Sequence, residues 1–176
     1  SDLNTMFAAK ASSGDGISFS SNSGAADQTV SISDTTDVSV TGLNTLNGNT
    51  TGNIDATNVT SLASASISDI KTLLTAGNNS TNNFAATSFQ SLATVAVSDT
   101  TVSIADLNDA IAQANTATGG TTTVFSVASG ATITTGDEAA FTTLLTNEDN
   151  GNIVITDQNL TVSSGTISVT NANSLN

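Results

Sequence analysis

The sequence predicts a mainly β fold, a right-handed β-solenoid of stacked repeats with one short helix per rung. Two observations predict it. The phrase VSISDTT at 30–36 recurs in similar form as VAVSDTT at 95–101, and segments with a helix pattern alternate with segments with a strand pattern throughout the chain. A repeat of roughly 30 to 40 residues cannot bury its apolar face alone, so stacked copies complete the core. A leucine-rich-repeat-like α/β solenoid is the second choice. A β-sandwich is the third, because it explains neither the helices nor the alternation.

Five segments have the pattern of short helices. Most open on Ser, Thr or Asp, which cap free N–H groups at a helix start. Apolar residues follow at helical spacing, as at Ile70, Leu73 and Leu74. Gly or Asn then ends most of them. The segments are SDLNTMFAAKAS, TGLNTLNG, SDIKTLLTAG, ADLNDAIAQAN and EAAFTTLLTNE.

A strand-like segment follows each of these helices, with apolar residues alternating with small polar ones in a period of two. These segments start at Ile17, Ile54, Phe84, Val124 and Ile153, and long and short intervals alternate between the starts. Both SDTT phrases lie in long intervals, so the phrase marks the long member of a two-part repeat. The similarity continues from VSVTGLN at 38–44 to VSIADLN at 102–108, with Asp37 as one extra residue in the first copy.

We therefore predict a single repeat array over residues 1–176. Its rungs are 17–53, 54–83, 84–123, 124–152 and 153–176, and residues 1–16 supply the helix of a preceding rung. Natural solenoids need polar terminal caps, and neither end of the sequence resembles one. The expected partners are therefore neighbouring repeats or subunits of the same protein, in a longer chain or an assembly.

Composition argues against two classes of partner. The chain has two Lys and 15 acidic residues, a formal net charge of −13, and no His, Cys, Trp or Pro. Such a surface repels nucleic acid and anionic membrane surfaces. No apolar run approaches the ~18 residues of a membrane span. We therefore expect neither nucleic-acid binding nor direct membrane insertion, and the scarcity of Lys beside abundant Thr, Ser, Asn and Asp suits an extracellular protein.

Catalysis lacks its usual residues. With no His or Cys, neither a nucleophilic triad nor thiolate chemistry is available. Lys10 and Lys71 lie beside polar neighbours and are expected to be solvated. The acidic neighbours at 137–138 and 148–149 diverge on a helix or turn, whereas glycosidase carboxylates face each other across a sugar. We predict no enzymatic activity, with an acidic polysaccharide-active β-helix as the enzyme alternative.

Calcium is the metal to consider, because oxygen ligands are all that the chain offers. The candidate ligands are Asp15 in SSGDG, Asp34 and Asp37 in SDTTD, and Asp149 in NEDNGN. None of these segments matches an EF-hand loop, and turns and helix caps account for the same residues. The prediction is no cofactor, with calcium as the open alternative.

The phrases SDTTVSIADLNDAI, LNTLNGNTTGNIDATNVTSL and VAVSDTT resemble the Ser/Thr/Asn/Asp-rich repeats of very large secreted or surface proteins of bacteria, especially cyanobacteria. The resemblance covers most of residues 28–115. It implies an extracellular stalk, filament, surface layer or adhesin component, and it identifies no functional residues. Such proteins often carry GGxGxD calcium repeats, which this sequence lacks.

The functional prediction is a non-enzymatic structural repeat segment of an extracellular or cell-surface protein, in a filament or a layer. An adhesion module that binds a cell-surface glycan or calcium is the alternative.

Overall fold

Short parallel strands alternate with helices in the computed structural model, which describes residues 29–79, 82–134 and 136–161. The described helices are α1 (Val40–Asn49), α2 (Ile67–Asn78), α3 (Ile104–Ala117) and α4 (Glu138–Asp149). The described strands are β1 (Val30–Ser31), β2 (Ile54–Asp55), β3 (Ser61–Ala65), β4 (Thr94–Val97), β5 (Thr101–Ser103), β6 (Val124–Val127), β7 (Thr132–Thr134), β8 (Ile153–Val154) and β9 (Asn159–Thr161). The predicted helix at 1–16 and the strand start at Ile17 lie outside these residues.

Four of the five predicted helices are confirmed, and their starts have the predicted chemistry. The cap residues are Ser39, Ser66, Ser103 and Asp137, and each side chain accepts a hydrogen bond from the N–H three residues on, at 2.9 to 3.1 Å. Such a bond satisfies one of the N–H groups that have no partner within the helix. Ser66 and Ser103 also donate to Asp69 and Asp106, so α2 and α3 each begin with a reciprocal capping pair.

The strands form three small sheets in which every pairing is parallel. The first contains β1 and β2, the second has the order β3-β4-β6-β8, and the third has the order β5-β7-β9. Paired residues lie about one repeat apart in the chain, as in Thr94 with Val124 and Thr132 with Asn159. Parallel pairing follows because a helix lies in each connection between successive strands of a sheet from β3 onward.

The long interval after Phe84 is where the chain changes sheets. Phe84 bridges Ile54, in line with the first sheet, whereas β4 pairs with β3 in the second and β5 begins the third. As a result the two copies of the repeated phrase occupy different sheets. Val30 pairs with Ile54, but Val95 pairs with Leu62 and Phe125.

The prediction of a mainly β, right-handed β-solenoid is wrong. The fold is mixed α/β, with 37% of the described residues in helices, 23% in strands, and no solenoid. Stacked rungs would place the strand starts Phe84 and Val124 next to each other. Val124 pairs with Thr94 and not with Phe84, so this stacking does not occur. The leucine-rich-repeat-like alternative is wrong for the same reason, since the strands divide into three sheets. The β-sandwich is wrong because such folds are built from antiparallel sheets.

The strands are shorter than a mainly β fold requires. They span two to five residues each, whereas the described helices span 10 to 14. Threonine, which favours strands on average, does not shorten these helices, because its hydroxyl donates to the carbonyl four residues earlier, as Thr72 does to Ser68 at 2.9 Å and Thr116 does to Ala112 at 3.0 Å. These internal bonds satisfy the hydroxyl without interrupting the helix.

The helices bury one face against the sheets, and a continuous apolar cluster fills the space between them. Phe89, Phe125 and Phe141 are its largest fully buried side chains. Phe89 lies in the long interval with a left-handed backbone (φ 63°) and packs on Phe84 at 5.2 Å between ring centroids. Gly77 leaves room for this ring, because a Cβ at 77 would come within 2.7 Å of it.

Candidate functional site

An open groove of about 610 Å³ lies over the outer surface of α2. Ile67 and Ala76 supply its buried apolar floor. Three exposed hydroxyl side chains of the same helix line it, those of Ser68, Thr72 and Thr75. The groove is therefore mainly a surface of neutral polar groups over a small apolar base.

Residues from three other parts of the chain border the groove. Asn47 comes from α1, Asp106 from α3, and Asn82 from the loop after α2. The groove thus depends on α1, α2 and α3 lying side by side, and these helices are neighbours because their intervening strands pair in parallel.

Lys71 lies in the groove and bridges α2 to α3. Its Nζ is 2.7 Å from Asp106 Oδ1 and 2.9 Å from Asp109 Oδ2. The lysine side chain is 27% exposed, so the ion pairs lie at the surface and not in the core. The sequence-based expectation of a solvated Lys71 is therefore only partly met, because two carboxylates hold its ammonium in place. Lys10 lies outside the described residues.

The ion pair favours the charged forms of Lys71 and Asp106. The hydrogen bonds that Lys71 donates to Asp106 and Asp109 raise the pKa of Lys71 above its ordinary value. The hydrogen bond from Lys71, followed by that from Ser103, lowers the pKa of Asp106. A protonated Lys71 is no general base, and Asp106 has both oxygens occupied.

The fifth helical residue reaches the neighbouring helix in three successive helices. Asn44 donates to the Asp69 carbonyl and Asn108 donates to the Ala140 carbonyl, both at 3.0 Å, and Lys71 occupies the same position in α2. The sequence match of 38–44 with 102–108 already contained Asn44 and Asn108. It carried no sign that these side chains link helices.

Asn47 has a buried amide oxygen without a hydrogen-bond partner among the described residues, and Asn44 has another. Buried polar atoms are nearly always paired, so these two oxygens are unusual in the described part of the chain. Asn47 borders the groove. The sequence analysis did not identify Asn47, because nothing in the sequence distinguishes it from the other Asn residues of the helices.

The calcium candidates do not come together as a described site. Asp34 and Asp37 are exposed, and Asp149 is the exposed last residue of α4, far along the chain. Asp15 lies outside the described residues. Across 29–79, 82–134 and 136–161, no group of three or more His, Cys, Asp or Glu side chains is placed to hold a metal.

The acidic pairs at 137–138 and 148–149 lie at the two ends of α4. Asp137 caps α4 by accepting from the Ala140 N–H at 2.9 Å, and Glu138 lies in the first turn, where the helix dipole favours negative charge. Glu148 and Asp149 end the same helix. Asp37, the extra residue of the first phrase, adopts a left-handed conformation (φ 52°) and donates its N–H to Ser61 Oγ at 2.8 Å.

Asp99 shows what the second copy of the phrase does. Its Oδ2 accepts the N–H of Ile67, the first residue of α2, at 2.6 Å. A residue just before α3 therefore caps the preceding helix, α2. The sequence suggested only a turn for this Asp, because the capped helix is 32 residues earlier in the chain.

Comparisons with protein-family models, with curated proteins and with solved structures find no match to this chain. Within the described part, none of the helices is long and apolar enough to cross a membrane.

Proposed function

We propose that this chain is a non-enzymatic structural repeat segment of an extracellular or cell-surface protein, and that its partners are neighbouring repeats or subunits of the same protein. One observation supports the proposal above all: segments about one repeat apart lie side by side, joined by parallel strand pairs and by helix-to-helix side-chain bonds. Contacts that join one segment to the next support a structural role.

The polar side chains support the same role, because most of their bonds serve the fold. Asp99 and Asp137 cap helices, Asn44 and Asn108 link helices, and Asp106 holds Lys71. Val154 is the one large apolar side chain found strongly exposed in the described part, at 47%, and it lies on β8. An exposed apolar residue on a short strand suits contact with a neighbouring segment.

The location is tested by treating intact cells of the source organism with a non-penetrating protease and probing with an antibody against this segment. A surface protein loses its signal on intact cells. A signal that disappears only after cell lysis would contradict the proposal.

Calcium dependence is tested separately, because an adhesion module that needs calcium is the alternative. Thermal unfolding is followed with CaCl2 and with NaCl at matched ionic strength. The acidic surface is screened by either salt, so we expect equal melting temperatures. A higher melting temperature in calcium alone would favour the calcium-dependent adhesion module over the structural segment.

A further inference from the structure

The groove over α2 has the size and the chemistry of a ligand site. Its volume of about 610 Å³ lies within the range of small-molecule pockets. Its lining combines hydroxyl and amide groups with a small apolar floor. The question is which class of ligand these groups recognise.

Charge excludes anions. Lys71 is the sole cation among the described residues, and Asp106 and Asp109 already neutralise it at 2.7 and 2.9 Å. The chain as a whole carries a formal net charge of −13. A phosphate, sulfate or carboxylate ligand would meet no free positive charge and a repulsive field.

Charge gives a cation little advantage as well. Asp106 is the carboxylate that borders the groove, and its two oxygens accept from Lys71 and Ser103. The groups left to recognise a ligand are neutral. They are the hydroxyls of Thr72 and Thr75 and the amides of Asn47 and Asn82.

The hydroxyl of Thr72 is already oriented. Thr72 donates to the Ser68 carbonyl at 2.9 Å, which directs the hydroxyl hydrogen into the helix and leaves its lone pairs as acceptors. Thr75 and Ser68 present further exposed hydroxyl groups to the groove. A ligand that carries several hydroxyl groups donates to these oxygens, and its own oxygens accept from the side-chain amides of Asn47 and Asn82.

We propose that this groove binds a neutral polyhydroxylated ligand of the carbohydrate class. The proposal goes beyond the structural role and does not depend on it, because a structural segment that binds no sugar remains a structural segment. With no Trp or Tyr to stack on a sugar ring, we expect weak binding, with a dissociation constant of about 1 to 10 mM for a monosaccharide.

The test is amide chemical-shift titration of the ¹⁵N-labelled chain. The probes are glucose, galactose, mannose and N-acetylglucosamine, with dextran as a polymer and glycerol and glucuronate as controls. The expected result is saturable shifts at residues 67–76 and at Asn47 and Asn82 with at least one neutral sugar, and weaker binding of glucuronate. If dextran binds and no monosaccharide does, the groove recognises residues within a glycan chain. If monosaccharides bind as well, the ligands of the groove include free sugars.

Matched variants locate the binding. Thr72→Val and Thr75→Val remove one groove hydroxyl each at nearly constant shape, and each is expected to weaken binding roughly two- to tenfold. Thr143→Val is the control, since Thr143 is an exposed helical Thr on α4 whose hydroxyl donates to Ala139 at 3.0 Å. The control should leave binding unchanged, and the amide spectra of all three variants report whether they fold.

Three results would overturn the proposal. The first is that no sugar causes saturable shifts when its concentration reaches about ten times the expected dissociation constant. The second is an equal response to glycerol. The third is binding that Thr72→Val, Thr75→Val and Thr143→Val affect alike. None of these results bears on the cell-surface location, which the protease experiment decides.

Discussion

Single residues set the closest contacts in this molecule, and Gly77 shows how. It lies inside α2, where glycine normally weakens a helix. The position accepts nothing larger because the buried Phe89 ring lies against it. Gly48, inside α1, has open space where a Cβ would lie. The two glycines thus have the same local structure and opposite surroundings.

We therefore expect Gly77→Ala to lower the free energy of unfolding by about 1 to 3 kcal/mol, the usual effect of overpacking a core. Gly48→Ala is the control and should raise it by roughly 0.5 to 1 kcal/mol, since alanine favours the helix. Urea unfolding followed by circular dichroism measures both. Equal effects of the two substitutions would show that Phe89 moves aside at little cost.

The Lys71 ion pairs predict a pH dependence. The pKa of Asp106 is lowered, so its contribution to stability is present above its ordinary value of 3.8 and is lost as the pH falls through the lower folded-state pKa. The pKa of Lys71 is raised, so its contribution is present below 10.5 and is lost as the pH rises through the higher folded-state pKa.

Lys71→Met should therefore lower the free energy of unfolding at pH 7 by at most about 1 kcal/mol, because these ion pairs are partly exposed. The difference from the unsubstituted chain should shrink as the pH falls from 3.8 through the lower folded-state pKa of Asp106, where that carboxylate becomes protonated. Urea unfolding at a series of pH values measures it. A difference that stays constant from pH 7 to low pH would mean that the methylenes of Lys71 act through packing alone.

At the scale of elements, the repeated phrase is used in two ways. Asp99 caps α2 from a different part of the chain, while Asp34, at the matching position of the first copy, is exposed and forms no hydrogen bond among the described residues. The same SDTT phrase therefore makes different contacts, because only Asp99 lies next to a helix that the strand pairing has brought close.

Asp99→Ala should lower the free energy of unfolding by about 0.5 to 2 kcal/mol, the range for removing a helix cap. Asp34→Ala is the matched control and should change stability by less than about 0.5 kcal/mol, as for most surface substitutions. Chemical unfolding of both variants measures the difference. A large effect at Asp34 would reveal a partner beyond residues 29–161.

At the scale of the whole molecule, the central helices and strands have neighbours on both sides, and the outer ones have a described neighbour on one side. The helices α2 and α3 lie between other helices, and β4 and β6 lie between other strands. By contrast, β1 and β9 have a described partner on one side only.

We therefore expect native-state amide hydrogen exchange to be slowest in α2, α3, β4 and β6, and fastest in β1 and β9. Exchange followed by NMR, with the Asp99→Ala variant for comparison, measures this order. The variant should accelerate exchange most in the first turn of α2. Uniform protection across all these elements would instead indicate a single cooperative unit.

The sequence by itself determined the local elements. Ser39, Ser66, Ser103 and Asp137 mark the described helix starts because a cap acts within three residues of the chain. The strand starts at Ile54, Val124 and Ile153 follow from apolar alternation, which is also local.

Only the tertiary structure decided the proportions and the partners. Local preference does not set how far a strand extends, because its length depends on the strand it pairs with, and the described strands reach only two to five residues. Nor does it tell which strands meet at the long interval, where Val95 joins Leu62 while Val30 joins Ile54. The groove over α2 depends on those pairings, because residues from α1, α2 and α3 meet there only after the helices have been placed side by side.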